Sequence, residues 1–173
     1  TLKSKYGQYQ IAVLGSIVGV SAEGIADGSA IERYARDMMD VINSFGGSHW
    51  AFLGFLHGSA LLTKAGETEL QRSIEWRAKH GMALGALVIG DTTVQPIVRA
   101  QFQRIYDNAG LELGIFTNEE DAIEWLNEKF PRGYSRSLPV YHVKQELLEP
   151  QSLLRNQLKG LIEQVMEANG HSI

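Results

Sequence analysis

The residues with the clearest chemical potential come directly after a long apolar stretch. His57-Gly58-Ser59 follows the apolar run of residues 49–56, and Thr63 comes shortly afterwards. A histidine beside a hydroxyl group could act as a general base on a nucleophile. A hydroxyl at the start of a helix could instead accept a phosphate. His57 with Ser59 or Thr63 is therefore a candidate enzyme site, although for His57 we favour the capping of backbone groups in a loop.

Other patterns that could support catalysis or metal binding are incomplete. None of the five histidines lies at zinc-ligand spacing from an Asp, Glu or His. The glycines between Gly15 and Gly28 fit neither the dinucleotide-binding fingerprint nor the P-loop, and no nucleophile elbow surrounds Ser59. Asp91-Thr92-Thr93 is similar to acidic or phosphate sites of other α/β folds, but helix capping accounts for it. We predict no catalytic residue, no metal and no cofactor.

Composition indicates an ordinary globular protein. The chain has 173 residues, of which 44% are hydrophobic and 21% charged, as expected for one domain with a real core. A net charge of −4 argues against a nucleic-acid partner. Cysteine is absent, residues 1–10 are polar, and no apolar run approaches the roughly 20 residues that span a bilayer. We therefore expect a cytoplasmic protein without a membrane span.

The apolar run of residues 49–56 predicts the centre of the fold. It has no polar alternate face, which is typical of a strand buried on both faces of a parallel sheet. Ligands and partners of such sheets usually bind at the carboxyl ends of the strands. Two β-rich runs, residues 9–14 and 17–21, flank Gly15-Ser16 and predict an antiparallel hairpin with a type II′ turn.

Strands and amphipathic helices then alternate along the chain. The first predicted helix covers residues 29–45 and starts at a capping box, Ser29–Glu32. The second covers residues 64–80 or 69–80, depending on whether Thr63 or Thr68 caps it. The third runs from Asp91 or a following threonine to Ala109, and the fourth covers residues 118–130 with Thr117 or Asn118 as its cap. Further strands are predicted at residues 82–89 and 111–116. The order β-β-α-β-α-β-α-β-α predicts an α/β fold with a mixed, mostly parallel sheet that starts with an antiparallel hairpin.

Residues 131–173 differ from the α/β domain predicted for residues 1–130. Prolines punctuate an extended segment, and an amphipathic C-terminal helix follows Pro150. This helical extension could pack on its own domain, or its apolar stripe could dock on a second copy and make a homodimer. The stripe consists of Leu154, Leu158, Leu161, Val165 and Met166.

Several phrases of the sequence resemble STAS-like domains, the fold of bacterial anti-sigma-factor antagonists. The resemblance is closer to a diverged group related to CRAL-TRIO-type lipid-binding proteins. The phrases that carry it are Ile31-Glu32-Arg33-Tyr34-Ala35, Trp50-Ala51-Phe52-Leu53, residues 105–116 and residues 121–126, within a region of about 6–130. The resemblance implies a serine or threonine, after the central strand, that a partner kinase phosphorylates. Thr63 lies nearest that position, and Ser59 is the second phospho-acceptor candidate.

Two functions of different classes follow. The first is a non-enzymatic regulatory module that binds a protein partner, such as a regulatory protein or kinase. The alternative is a protein that binds a small apolar ligand or lipid between the helix after Thr63 and the helix of residues 92–109. The predicted binding residues are Leu56, His57, Gly58, Leu61 and Leu62.

The candidate functions make different structural demands. A partner surface requires an exposed apolar patch at Leu61 and Leu62, without a deep cavity. A ligand carrier requires an enclosed apolar volume of about 300 Å³ or more. An enzyme requires His57 within about 3.2 Å of a hydroxyl group.

Overall fold

A computed structural model describes residues 8–90, 94–130 and 143–145, which form a six-stranded mixed sheet with helices on both faces. The strands are β1 (Gln8–Leu14), β2 (Ile17–Glu23), β3 (Trp50–His57), β4 (Met82–Ile89), β5 (Glu112–Phe116) and β6 (Val143–Gln145). The helices are α1 (Gly28–Asn43), α2 (Lys64–Ala78), α3 (Gln95–Ala109) and α4 (Glu119–Lys129). The predicted α/β fold class and the alternating order of its elements are confirmed.

The strands lie in the order β5-β4-β3-β2-β1-β6. From β2 to β5 neighbouring strands are parallel, whereas β1 is antiparallel to both β2 and β6. Leu14 pairs with Ile17 across the predicted hairpin turn, and the positive φ of Gly15 (63°) suits the first central position of a type II′ turn. β3 lies between β2 and β4, and every residue of β3 except His57 is buried. The all-apolar run is thus an inner strand of the sheet, as predicted.

Alternate residues of β3 supply two separate hydrophobic cores. On one face, the core includes residues of α1, α2 and α3, such as Ile31, Leu70 and Val98. On the other face, α4 packs its buried side chains, including Leu126, against residues such as Leu53 of β3. The candidate site described below lies on the face that α1, α2 and α3 cover.

Helix starts differ in part from the predictions. The predicted capping box at Ser29–Glu32 is wrong, because the Asp27 carboxylate accepts a hydrogen bond from the Ala30 amide at 2.9 Å and α1 begins at Gly28. α2 begins after Thr63, the earlier of the two predicted starts. α3 begins at Gln95 after Val94, which makes no side-chain cap, and α4 begins after Asn118. The predicted cap of α3 at residues 91–93 lies outside the described residues.

The C-terminal region is described only at β6, which pairs with β1. The predicted helix after Pro150, with its stripe at Leu154, Leu158, Leu161 and Val165, lies outside the described residues. Among the helices that the structure describes, none combines the length and the apolar character that crossing a membrane requires.

Candidate functional site

The loop between β3 and α2 contains most of the residues predicted to be functional. His57 and Gly58 are exposed at the end of β3, and Ser59 is half-buried. Gly58 (φ 63°) and Ala60 (φ 49°) both adopt left-handed backbone conformations, and Ala60 is the one non-glycine residue in the described chain that does so. Such a conformation costs an ordinary residue about 1 kcal/mol or more, so the surrounding contacts must hold the loop in place.

Hydrogen bonds from two sides hold this loop. The Ala26 amide donates to the Leu61 carbonyl at 3.0 Å, and the Thr63 amide donates to the Ala26 carbonyl at 3.0 Å. From the other side, Gln101 of α3 donates to the Leu62 carbonyl at 2.9 Å and accepts from the Leu62 amide at 3.2 Å. The side chain of Gln101 therefore pairs with the peptide groups of Leu62 much as a neighbouring strand would.

Two of the five predicted binding residues, Leu56 and Leu62, are buried in this arrangement. Leu56 and Leu62 have only 8% and 6% of their surface exposed. Leu61 is half-buried against the core on the face that α1, α2 and α3 cover. Leu62 therefore does not contribute to the exposed patch that a partner surface at Leu61 and Leu62 would require, and its backbone is bonded to Gln101.

Thr63 acts as the N-cap of α2. Its hydroxyl oxygen accepts a hydrogen bond from the Gly66 amide at 3.0 Å and can donate to the Ala26 carbonyl at 3.4 Å. Within the described part of the chain, no hydrogen bond joins His57 to the hydroxyl of Ser59 or Thr63. The pair that an enzyme interpretation needs is not formed in this conformation.

Thr63→Ala is expected to lower the free energy of unfolding by about 1 kcal/mol, because the Gly66 amide loses its cap. Ser59→Ala is the matched control and should change that free energy by less than about 0.5 kcal/mol. Urea denaturation of both variants tests the difference. Equal stability losses would show that Thr63 has no special part in holding α2.

A cavity lies between the sheet and helices α1 and α2. Its volume is about 90 Å³. The wall is mostly apolar and aromatic, with contributions from Ile31 and Tyr34 of α1, Phe52 and Leu56 of β3, and Leu70 and Ile74 of α2. Lining residues that keep exposed surface, such as Glu23, Gly24 and Arg33, lie at the end of β2 and in α1. The cavity therefore opens beside the carboxyl end of β2.

The cavity differs from the predicted pocket in place and size. The prediction puts a pocket between α2 and α3, whereas Phe102 and Tyr106 of α3 form only part of one wall. The 90 Å³ volume is also well below the 300 Å³ expected for a drug-sized ligand. Of the predicted binding residues, Leu56 and Leu62 line the cavity.

Gly54 helps to keep this space open. It lies on β3 and lines the cavity. A Cβ atom at this position would lie 2.6 Å from Cδ2 of Leu87 and 2.7 Å from Cε2 of Phe52. No larger residue fits there without moving both neighbours.

Arg77 is the most unusual residue of the wall. Only 1% of its surface is exposed, and its Nε and Nη2 atoms have no hydrogen-bond partner. The guanidinium carbon lies 5.1 Å from the ring centre of Tyr34 and 5.6 Å from that of Phe52. Cation–π contacts of this kind offset part of the cost of burying a charge, but they leave the N–H groups unpaired.

No residue in the described chain neutralises Arg77. Ion pairs of the described residues use other cations, among them Arg72, Arg104 and Lys129. Burial raises the pKa of Tyr106 far above its usual range, and the nearby charge of Arg77 opposes this shift only in part. Tyr106 is therefore neutral at physiological pH and supplies no negative charge.

Arg77 is absent from the residues predicted to be functional, although the sequence contains a signal for it. Leu70, Ser73, Ile74 and Arg77 follow one another at helical spacing, and all four are buried. An arginine in line with an apolar stripe indicates a buried cation.

Comparisons with known proteins identify no relative: no family model, no curated protein and no solved structure matches the chain. The resemblance to STAS-like domains therefore stays a prediction. Among the described residues, no group of three or more histidine and acidic side chains is placed to hold a metal ion. The cavity with its buried arginine is thus the site on which a functional interpretation rests.

Proposed function

We propose that the chain is a binding protein that holds a small, mainly apolar molecule in the cavity beneath α1 and α2. The observation that carries this proposal is the cavity itself, which has a mostly apolar wall and a mouth beside the end of β2. Burial of apolar surface in such a space is favourable by about 25 cal/mol per Å². The position also fits the general rule that α/β sheets bind ligands near the carboxyl ends of their strands.

The volume limits the ligand. An engineered cavity of about 150 Å³ lined by apolar side chains admits benzene. The 90 Å³ cavity is smaller, so the ligand has only a few non-hydrogen atoms inside the wall. Any longer molecule extends through the mouth past Glu23 and Arg33.

Titration with short-chain probes tests this function. Butyrate and its neutral analogue butyramide are added to the ¹⁵N-labelled protein, and amide shifts are followed by NMR. We expect saturable shifts concentrated at residues that line the cavity. Ala30, on the cavity wall, is replaced by leucine to fill the space, which should weaken binding at least about tenfold.

Ala100→Leu is the matched control, because Ala100 is an exposed residue of α3 outside the cavity wall. This variant should bind both probes like the wild type. If neither probe binds the wild type, or if the shifts cluster away from the cavity, the proposed function is wrong.

A regulatory function of STAS type is the second candidate. It is favoured by two large apolar side chains that remain exposed on either side of the β3–α2 loop. Ile25 is 46% exposed and precedes Ala26, whose backbone is hydrogen-bonded to the loop. Ile97 is 55% exposed and lies one turn before Gln101, whose side chain is hydrogen-bonded to the loop from α3. Together with half-buried Leu61 they offer a protein partner an apolar surface.

A further inference from the structure

We infer that the ligand of this cavity is an anion, a small carboxylate with a short apolar tail, and that Arg77 binds its head group. This inference rests on the proposed function and adds the chemical class of the ligand. It starts from two independent observations, the cavity and the buried arginine with unpaired donors in its wall.

The two unpaired atoms of Arg77 are the pair that binds a carboxylate. Nε and Nη2 lie on one edge of the guanidinium, so their N–H bonds are parallel and can reach both oxygens of one carboxylate. The same protein shows this geometry on its surface. Nε of Arg104 donates to Oε2 of Glu67 at 2.9 Å, and Nη2 donates to Oε1 of the same residue at 2.6 Å. Arg77 has the same pair of donors and no acceptor for either.

The electrostatics favour an anion over a neutral ligand. A neutral amide could accept the two hydrogen bonds, but it would leave the buried positive charge without a counter-ion. A carboxylate supplies both acceptors and the compensating charge. Arg77 is the one charged residue buried in the described cavity wall, so a single negative charge matches it better than a phosphate dianion would.

Binding requires a small rearrangement of the side chain. Nε and Nη2 are themselves buried within the wall, so the guanidinium must turn toward the cavity to meet the ligand. Tyr34 and Phe52 line the same cavity and can keep contact with the turned cation through their ring faces. The apolar residues around them then enclose the tail of the ligand.

The comparison of butyrate with butyramide tests this inference apart from the proposed function. The two probes have nearly the same shape and differ in charge. We expect wild-type protein to bind butyrate at least about tenfold more tightly than butyramide, since hydrogen bonds to charged groups are the stronger ones. Arg77→Met should remove this preference. The control Arg72→Met should keep it, because Arg72 lies on the outer face of α2 with 72% of its side chain exposed.

Each outcome bears on one proposal. Equal affinities of the wild type for the two probes would overturn the assignment of an anion and leave the binding function intact. Binding of neither probe would overturn the function itself. If Arg77→Met does not fold, the pH dependence in wild type decides. Affinity for butyrate should then fall as the pH drops through the pKa of its carboxyl group, while affinity for butyramide stays constant; parallel pH profiles would contradict the inference.

Discussion

Arg77→Met is expected to raise the free energy of unfolding of the ligand-free protein by about 1–4 kcal/mol. Arg77 is buried to 99% of its surface, and its Nε and Nη2 atoms lack hydrogen-bond partners. Each unpaired buried donor costs about 1–3 kcal/mol, and the unpaired charge adds to that cost. Methionine has a flexible unbranched side chain that fills similar space without any polar group.

Favourable contacts of the cation reduce this gain but do not cancel it. The rings of Tyr34 and Phe52, at 5.1 and 5.6 Å from the guanidinium carbon, each contribute about 0.5–2 kcal/mol. Methionine keeps a weaker contact with both rings through its sulfur atom. The balance therefore favours the apolar variant.

Urea denaturation without ligand measures the effect. Arg72→Met is the control on the same helix, and it removes only an exposed contact to Glu69 at 3.4 Å. Its effect should stay within about 1 kcal/mol. A loss of stability in Arg77→Met would mean that the contacts of the arginine outweigh the cost of burying it, which would also weaken the case for an anionic ligand.

A stability gain in the variant would have a functional meaning. Proteins usually depart from good packing and from complete hydrogen bonding of buried polar groups at their functional sites. A buried arginine that destabilises the empty protein and binds a carboxylate is such a case. Butyrate should then stabilise the wild type more than the variant, because ligand binding favours the folded state.

The parts of the fold that follow from local sequence were predictable. Apart from His57 at the end of β3, β3 and β4 are uninterrupted apolar runs, and a strand of that pattern is expected to be buried on both faces. The hairpin of β1 and β2 follows from Gly15, because glycine adopts the positive φ that the turn requires. Patterns of this kind depend on neighbouring residues alone.

The site was less predictable because it depends on residues far apart in the chain. Leu62 is buried because Gln101, on a later helix, bonds its backbone. The cavity depends on glycine at position 54 and on the distance between α1 and the sheet, neither of which has a sequence pattern. Arg77 was not predicted because most residues of α2 are polar, although its spacing from Leu70 and Ile74 places it on the buried face.

Gly66→Ala is expected to lower the free energy of unfolding by about 1–3 kcal/mol or more. A Cβ atom at Gly66 would lie 2.3 Å from the carbonyl oxygen of Ala26, which is backbone and cannot swing away. The better helix propensity of alanine stabilises the fold by only about 1 kcal/mol. The clash therefore dominates, and α2 must move away from the segment that contains Ala26.

Gly28→Ala is the matched control, because both glycines lie in first turns of helices at the α1–α2 contact. A Cβ atom at Gly28 would meet Cβ of Ala65 at 3.5 Å, an ordinary van der Waals distance. This variant should be neutral or more stable by about 0.4–1 kcal/mol. Thermal or urea denaturation should thus show a loss of stability in Gly66→Ala and no loss in Gly28→Ala.

The clash between the added Cβ atom of Gly66→Ala and the Ala26 carbonyl is also expected to change the ligand site. The Ala26 carbonyl accepts the hydrogen bond of the Thr63 amide, and Ala26 and Leu62 both line the cavity. Displacing Ala26 in Gly66→Ala therefore opens the wall, and butyrate affinity should fall along with stability. Gly28→Ala should bind butyrate normally. Unchanged affinity in a destabilised Gly66→Ala protein would show that the cavity wall does not depend on the contact between Ala26 and the β3–α2 loop.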